Sequence, residues 1–244
     1  MRMSSKMRPT MTNLALFDLD HTLLPTDSDH EWGRFMVKLG LVDGEHFSAQ
    51  VEQFYADYKA GTLDIHAYLD AMLAPLAKYS RAQLKTWHDQ FMREVIRPVI
   101  TPAARALVRK HRDAGDLCCM VTATNVFITA PIAAEFGIDH LIACEVETVD
   151  GQPDSAYTGR SMGVPSYRKG KIVRTEMWLA SLGKTWTDFA RSYFYSDSFN
   201  DIPLLEKVTD PIATNPDATL RLHAQAVGWR ILDFFSPCDK ETHP

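Results

Sequence analysis

Residues 14–24 read LALFDLDHTLL. An apolar run from Leu14 ends in two aspartates at alternate positions, and a threonine follows two residues later. A short run that is apolar throughout reads as a strand buried on both faces, here Leu14 to Leu19. Two carboxylates this close are costly to bury, because each opposes the other's ionisation. A positive group is therefore expected beside Asp18 and Asp20.

From Pro25 to about Arg97 the rhythm changes to apolar residues at three-to-four spacing, which predicts helices. Gly40 and Gly61 read as helix stops, Ser80 as an N-cap, and Pro98 and Pro102 punctuate the end of the block. Strand and helix then alternate. TPAARALVRKHRDAG, FITAPIAAEFG, KIVRTEMWLASLG and IPLLEKV predict helices. DLCCMVTATN, HLIACEVETVDG, SYFYSDSFND, DPIATN and WRILDFF predict strands or strand–turn segments. Alternating βα units imply a parallel sheet with helices on both faces. The expected fold is α/β, a Rossmann-like parallel-sheet core with an inserted all-helical cap after the first strand. The core takes residues 1–24 and 98–244, with 1–13 a frayed extension, and the cap takes 25–97. Ligands of open parallel sheets bind outside the carboxyl ends of the strands, so an insert rooted there would sit over the site like a lid.

The formal net charge of −5, with no basic block, gives no support to nucleic-acid or membrane-surface binding. Cys118, Cys119, Cys144 and Cys238 form no CxxC pair, which favours reduced thiols and a cytoplasmic setting. No apolar stretch is long enough to cross a bilayer. The basic start MRMSSKMRPTMTN lacks the apolar core of a signal peptide.

Four predicted strand ends or adjoining loops carry polar groups. They are Asp18, Asp20 and Thr22; then Thr122, Thr124 and Asn125; then Lys169 and Lys171; then Asp197, Asn200 and Asp201. Each has a plain reading alone, as a helix cap or a solvated lysine, but they converge on one edge of one sheet. Carboxylates without histidine or cysteine companions suit a hard cation, and Mg²⁺ takes one or two carboxylates together with waters and substrate phosphate. Asp18 and Asp197 can share such an ion, which would offset their repulsion. An EF-hand fails because Leu23 stands where glycine is needed, and a P-loop fails because Ile172 follows Gly170-Lys171. GxGxxG, HExxH and GxSxG motifs are absent.

The ordered set DLDHT, Thr122 after a strand, Lys171 before a helix, and SDSFND resembles the haloacid dehalogenase-like hydrolase superfamily. The helical insert after the first motif resembles that superfamily's subfamily IB, the phosphoserine-phosphatase-like branch. The resemblance implies a Mg²⁺-dependent phosphomonoester hydrolase. Asp18 would be the nucleophile, forming an aspartyl-phosphate, and Asp20 the general acid and then base. Thr122 and Lys171 would hold phosphoryl oxygens, and Thr22, Ala123 and Asn125 would surround them. Asp18, the Asp20 carbonyl and Asp197 would bind the metal, with Asn200 and Asp201 orienting its waters and Lys171. The chain departs from the family's usual pattern at Ser196-Asp197, where Gly-Asp is common, and at Thr122-Ala123, where Ser-Gly is common. Both departures keep the reacting groups. Asp20 favours phosphate-ester cleavage over dehalogenation, in which no leaving alkoxide needs a proton.

The branch includes enzymes for phosphoserine, whose amine is read by an acid just past the first motif and whose carboxylate is read by a cap arginine. Asp27 stands at about the position of that acid, with Asp29 and Glu31 close by; Arg34, Arg81, Arg93 and Arg97 are arginine candidates. Asp27 and Asp29 can equally cap a helix. The branch also includes enzymes for histidinol phosphate, which has an amine and an imidazole but no carboxylate. DSDHEWGRF, with Trp32 and Phe35, leans toward that substrate, although such aromatics often serve helix packing. The expected partner is thus a small phosphorylated metabolite. A non-catalytic phosphometabolite-binding protein on the same fold would be expected to lose Asp18, Asp20 or Lys171.

Overall fold

The structure is a computed structural model that describes residues 11–235; Cys238 and most of the expected extension lie outside the described residues. The chain runs β1 (Leu14–Phe17), α1 (Ser28–Lys38), α2 (Gly44–Ala60), α3 (Ile65–Leu73), α4 (Arg81–Phe91), α5 (Arg97–Val99) and α6 (Pro102–Asp113). It continues through β2 (Leu117–Asn125), α7 (Val126–Phe136), β3 (His140–Thr148), β4 (Tyr157–Met162), α8 (Lys169–Ser181) and β5 (Ser192–Ser196). It closes with α9 (Ile202–Leu205), β6 (Asp210–Thr214), α10 (Ala218–Val227) and β7 (Arg230–Leu232). The helical block behaves locally as its sequence predicts. Ser80 forms a capping box with Gln83 at the start of α4, and Gly61 ends α2 in a left-handed conformation with φ 71°. α4 runs into a π-helical stretch, Met92–Ile96, where one continuous helix was expected.

The seven strands lie in the order β4-β3-β2-β1-β5-β6-β7. β1 is central and pairs in parallel on both sides, with Phe17 level with Met120 of β2 and Tyr195 of β5. All four of its residues are buried, which explains the unbroken apolar run. Ala15 and Phe17 face one core, and Leu14 and Leu16 face the other. After β1 the chain builds outward to β4 and then returns to the opposite side of β1 with β5. That reversal is a topological switch point, where the carboxyl ends of neighbouring strands leave a crevice.

The sheet is not wholly parallel as expected. β4 runs antiparallel to β3, after a turn at Val149 and Asp150. Its sequence YTGRSM is short, polar and broken by glycine, so it carries no strand pattern of its own. Packing favours glycine here: a Cβ on Gly159, whose φ is 80°, would lie 3.1 Å from Ala74 Cα, so glycine eases the approach of the helical segment to this strand.

The helices between β1 and β2 are rooted in the sheet's core. Trp32, Phe35, Phe47, Met72 and Phe91 share one apolar cluster with Phe17, Met120 and Ile128. Leu69, Leu73, Leu76 and Leu84 form another with Cys144, Val146 and Tyr157. Cys118, Cys119 and Cys144 are buried free thiols.

Candidate active site

β1 stops at Phe17 and Asp18 follows, its backbone N–H donating to the Tyr195 carbonyl at 2.9 Å. Ladder pairing therefore fixes the main chain beneath the Asp18 carboxylate. Lys171, in the first turn of α8, is a positive group that bonds Asp18 but not Asp20. Its Nζ donates to Asp18 Oδ1 at 3.0 Å and to Asp201 Oδ2 at 2.7 Å, and all three side chains are buried. Ser196 donates its hydroxyl to the same Asp201 oxygen at 2.7 Å. Burial pushes the Asp18 carboxyl up to about 6, against the pull of Lys171. Burial also works against the Lys171 ammonium, but Asp18 and Asp201 outweigh it and keep it charged.

Asp197 opens the loop after β5 and is held by Thr22. The Thr22 hydroxyl donates to Asp197 Oδ1 at 3.2 Å and accepts from the Asp197 N–H at 3.0 Å. Burial, and then the Asp18 and Asp201 carboxylates, push the Asp197 carboxyl well above the usual range. Asp20 takes two bonds, from the Ser28 N–H at 2.7 Å and from the Thr124 hydroxyl at 2.9 Å. Burial and the nearby Asp27 hold its carboxyl well above the usual range, which suits a group that must carry a proton near neutral pH.

One cavity joins these groups. Asp18, Asp20, Thr122, Ala123, Thr124 and Lys171 line its floor; Asp27, His30, Phe54, Tyr55, Tyr58 and Tyr68 line the opposite side. Thr122 is buried at the end of β2, its hydroxyl accepting from the Thr124 N–H at 3.1 Å.

Other expected residues sit elsewhere. Asn125 caps α7 by accepting from the Ile128 N–H at 3.3 Å and does not line the cavity. Asn200 does not touch Lys171. Its Nδ2 donates to the Tyr58 carbonyl at 3.3 Å, and its Oδ1 accepts from Arg168 Nε at 2.9 Å. Asp27 is both the N-cap of α1 and part of the cavity wall. Asp29 lies buried behind that wall, accepting from the Tyr68 hydroxyl, and burial pushes its carboxyl up to about 7. Trp32 does not reach the cavity: it is 1% exposed and packs on Phe35, His88, Phe91 and Phe127. None of the candidate arginines lines the cavity either. Arg34 lies against Glu31, Arg97 pairs with Glu135, Arg81 donates to the Pro153 and Ser155 carbonyls, and Arg93 is exposed on the π-helical stretch.

Thr124 and Ser28 are supports that their sequence neighbourhoods do not announce. The Thr124–Asp20 bond joins residues 104 positions apart in the chain. Only the threonine's place at a strand end hinted at it.

Among the described residues, no three His, Cys, Asp or Glu side chains gather as a metal-binding group. The strand ends offer two carboxylates, the buried Asp18 and the half-buried Asp197, and the Asp18 charge helps to raise the Asp197 pKa. That oxygen-only set fits Mg²⁺, which needs few protein carboxylates.

The family model for "haloacid dehalogenase-like hydrolase" matches residues 15–206. A histidinol-phosphatase of Neisseria meningitidis is 48% identical over 224 residues, covering 92% of this chain and 100% of that one. A crystal structure of a protein of unknown function from Bordetella pertussis superposes with a TM-score of 0.87 at 51% identity, covering 93% of this chain and 100% of that one. A substrate-bound phosphoserine phosphatase superposes with a TM-score of 0.63 at 18% identity, covering 91% of this chain and 92% of that one, a likeness of fold alone. The family match takes in both Asp18 and Lys171, whose contact the fold creates, and the chain belongs to the haloacid dehalogenase-like hydrolases as a phosphatase of that family.

Proposed function

We propose that the protein hydrolyses histidinol phosphate in the cytoplasm through an aspartyl-phosphate on Asp18, with residues 25–97 acting as the cap that selects the alcohol. The observation that carries the substrate is the cavity wall: Asp27 and His30 stand among Phe54, Tyr55, Tyr58 and Tyr68, and no arginine is in the lining. An acid pairs with an amine, and aromatic faces pack on an imidazole. A carboxylate-bearing substrate would find no arginine on that side to pair with. The name of the Neisseria relative supports the same reading.

Asp18 attacks phosphorus through Oδ2, the oxygen that Lys171 does not hold. As the bond from phosphorus to the leaving oxygen breaks, Asp20 passes its proton to that oxygen, and the alcohol departs neutral. Water then attacks the phosphoryl group on Asp18. Asp20, now ionised, takes a proton from the water, and phosphate leaves with Asp18 restored. The Thr122 hydroxyl and Lys171 bind phosphoryl oxygens throughout. Asp18, Asp197 and the Asp20 carbonyl would hold Mg²⁺, which when bound neutralises phosphoryl charge.

Phosphate release from histidinol phosphate, phosphoserine and a simple aryl phosphate tests this reading. Histidinol phosphate should have the highest kcat/KM by about tenfold or more, the margin of one good charged contact. A higher kcat/KM for phosphoserine would reject the proposed substrate.

A further inference from the structure

Arg168 has φ 50° and ψ −123°, a backbone conformation that residues with a Cβ rarely adopt. Such strain persists only where surrounding contacts hold it. Its carbonyl accepts from the Lys171 N–H at 3.0 Å, opening the helix that carries Lys171. Its side chain crosses to the cap, where Nη2 donates to the Gly61 carbonyl at 2.6 Å while Nε donates to Asn200 Oδ1 at 2.9 Å. Asn200 grips the same helix end, its Nδ2 reaching the Tyr58 carbonyl at 3.3 Å. A guanidinium at a helix C-terminus meets the partial negative charge of the last carbonyls.

The helix being held is α2, which supplies Phe54, Tyr55 and Tyr58 to the cavity wall. Its fully buried residues, Phe47 and Val51, both lie in its first half. In the second half Phe54, Tyr55 and Tyr58 are half-buried and make ring contacts with Tyr68, His30 and Tyr167, so the polar contacts at the C-terminal end carry more of the fixing there. The approach at that end is close. A Cβ on Gly61 would lie 2.8 Å from Arg168 Nη2 and 2.7 Å from Phe199 Cζ.

We infer that Arg168, through Asn200 and the Gly61 carbonyl, is a positioning residue that latches the C-terminal end of α2 onto the core and so holds the aromatic wall over the reacting groups. The latch ties three things together: the helix of Lys171, the loop of Asp201, and the cap wall that touches the leaving group. It rests on the phosphatase activity and not on which alcohol leaves.

Two variants test it. Arg168→Gly suits the positive φ and removes the side chain. Arg168→Lys keeps the charge but not the planar fork that spans both acceptors. Amide hydrogen exchange over residues 55–62 is read together with kinetics on histidinol phosphate and on acetyl phosphate, whose leaving group is too small to reach α2. In Arg168→Gly the exchange should quicken about tenfold or more, and KM for histidinol phosphate should rise about tenfold. Acetyl phosphate turnover should move by less than about threefold, and Arg168→Lys should recover part of the KM loss. Unchanged exchange with unchanged KM would overturn the latch. An equal fall in kcat on both substrates with unchanged exchange would also overturn it, placing the effect in the Lys171 helix. Should histidinol phosphate prove not to be turned over, p-nitrophenyl phosphate takes its place and the exchange readout stands unaltered.

Discussion

The Thr124 hydroxyl donates to Asp20 Oδ2 across 2.9 Å, tying the end of β2 to the loop that follows β1. With the Ser28 N–H on the other oxygen, it leaves the Asp20 carboxyl little rotational freedom. Thr124→Val keeps the shape and removes the bond. The expected result is a fall in kcat of about tenfold, with KM changed by less than about twofold, because in the proposed mechanism Asp20 acts on the leaving oxygen only as the bond breaks. Steady-state kinetics decides it.

Asp27→Asn separates charge from capping. Asparagine caps helices as well as aspartate does, so α1 should stay intact. The loss of a charged partner for the substrate amine should raise KM about tenfold for amine-bearing phosphomonoesters. An aryl phosphate without an amine should show no such change. Equal losses on both classes would remove Asp27 from amine recognition.

Lys171→Met leaves Asp18 and Asp201 facing each other in a buried site without their shared cation. The expected cost is about 3–5 kcal/mol of stability, with activity abolished. Denaturant unfolding of the variant at neutral pH measures it. A cost below about 1 kcal/mol would mean that water reaches and screens these carboxylates.

Asp29 makes stability fall as pH rises. Its carboxyl is pushed up to about 7 by burial, from an ordinary value of 3.8, and its Oδ1 has no hydrogen-bond partner among the described residues. The folded state therefore keeps a proton that the unfolded chain has already lost. The contribution is fully present below about pH 4 and is lost as pH rises through about 7. Asp29→Asn should flatten this dependence, gaining on the wild type by a few kcal/mol (an order-of-magnitude figure) between pH 5 and 8. Thermal unfolding at both pH values checks the sign.

Removal of divalent metal should abolish turnover, and Mg²⁺ should restore it. Mg²⁺ at a hundredfold excess over its Kd should also stabilise the folded protein by about 2.7 kcal/mol, since a ligand that binds only the folded state draws the equilibrium toward it. An unfolding temperature indifferent to Mg²⁺ would argue against binding between the Asp18 and Asp197 carboxylates.

Sequence alone determined the elements whose signals are local. The apolar run of β1, the three-to-four periodicity of residues 25–97, the Ser80 cap and the Gly61 stop are each written within a few neighbouring residues. The grouping of Asp18, Asp20 and Thr122 at one cavity was legible because parallel strands bring their carboxyl ends to one edge, wherever those strands stand in the chain, and Lys171 joins them from the first turn of α8. Tertiary structure decided what depends on contacts between distant segments. β4 forms by pairing with β3 and packs closely on the helical segment at Gly159, and YTGRSM carries no periodic signal of its own. Trp32 and Asp27 lie five residues apart, yet one turns into the core and the other into the cavity, because α1 is buried on the face that Trp32 occupies. Arg168 reads in sequence as one more charge before a helix. Only the fold sets Gly61 and Asn200 within reach of its guanidinium, by closing a span of 107 residues on one side and 32 on the other.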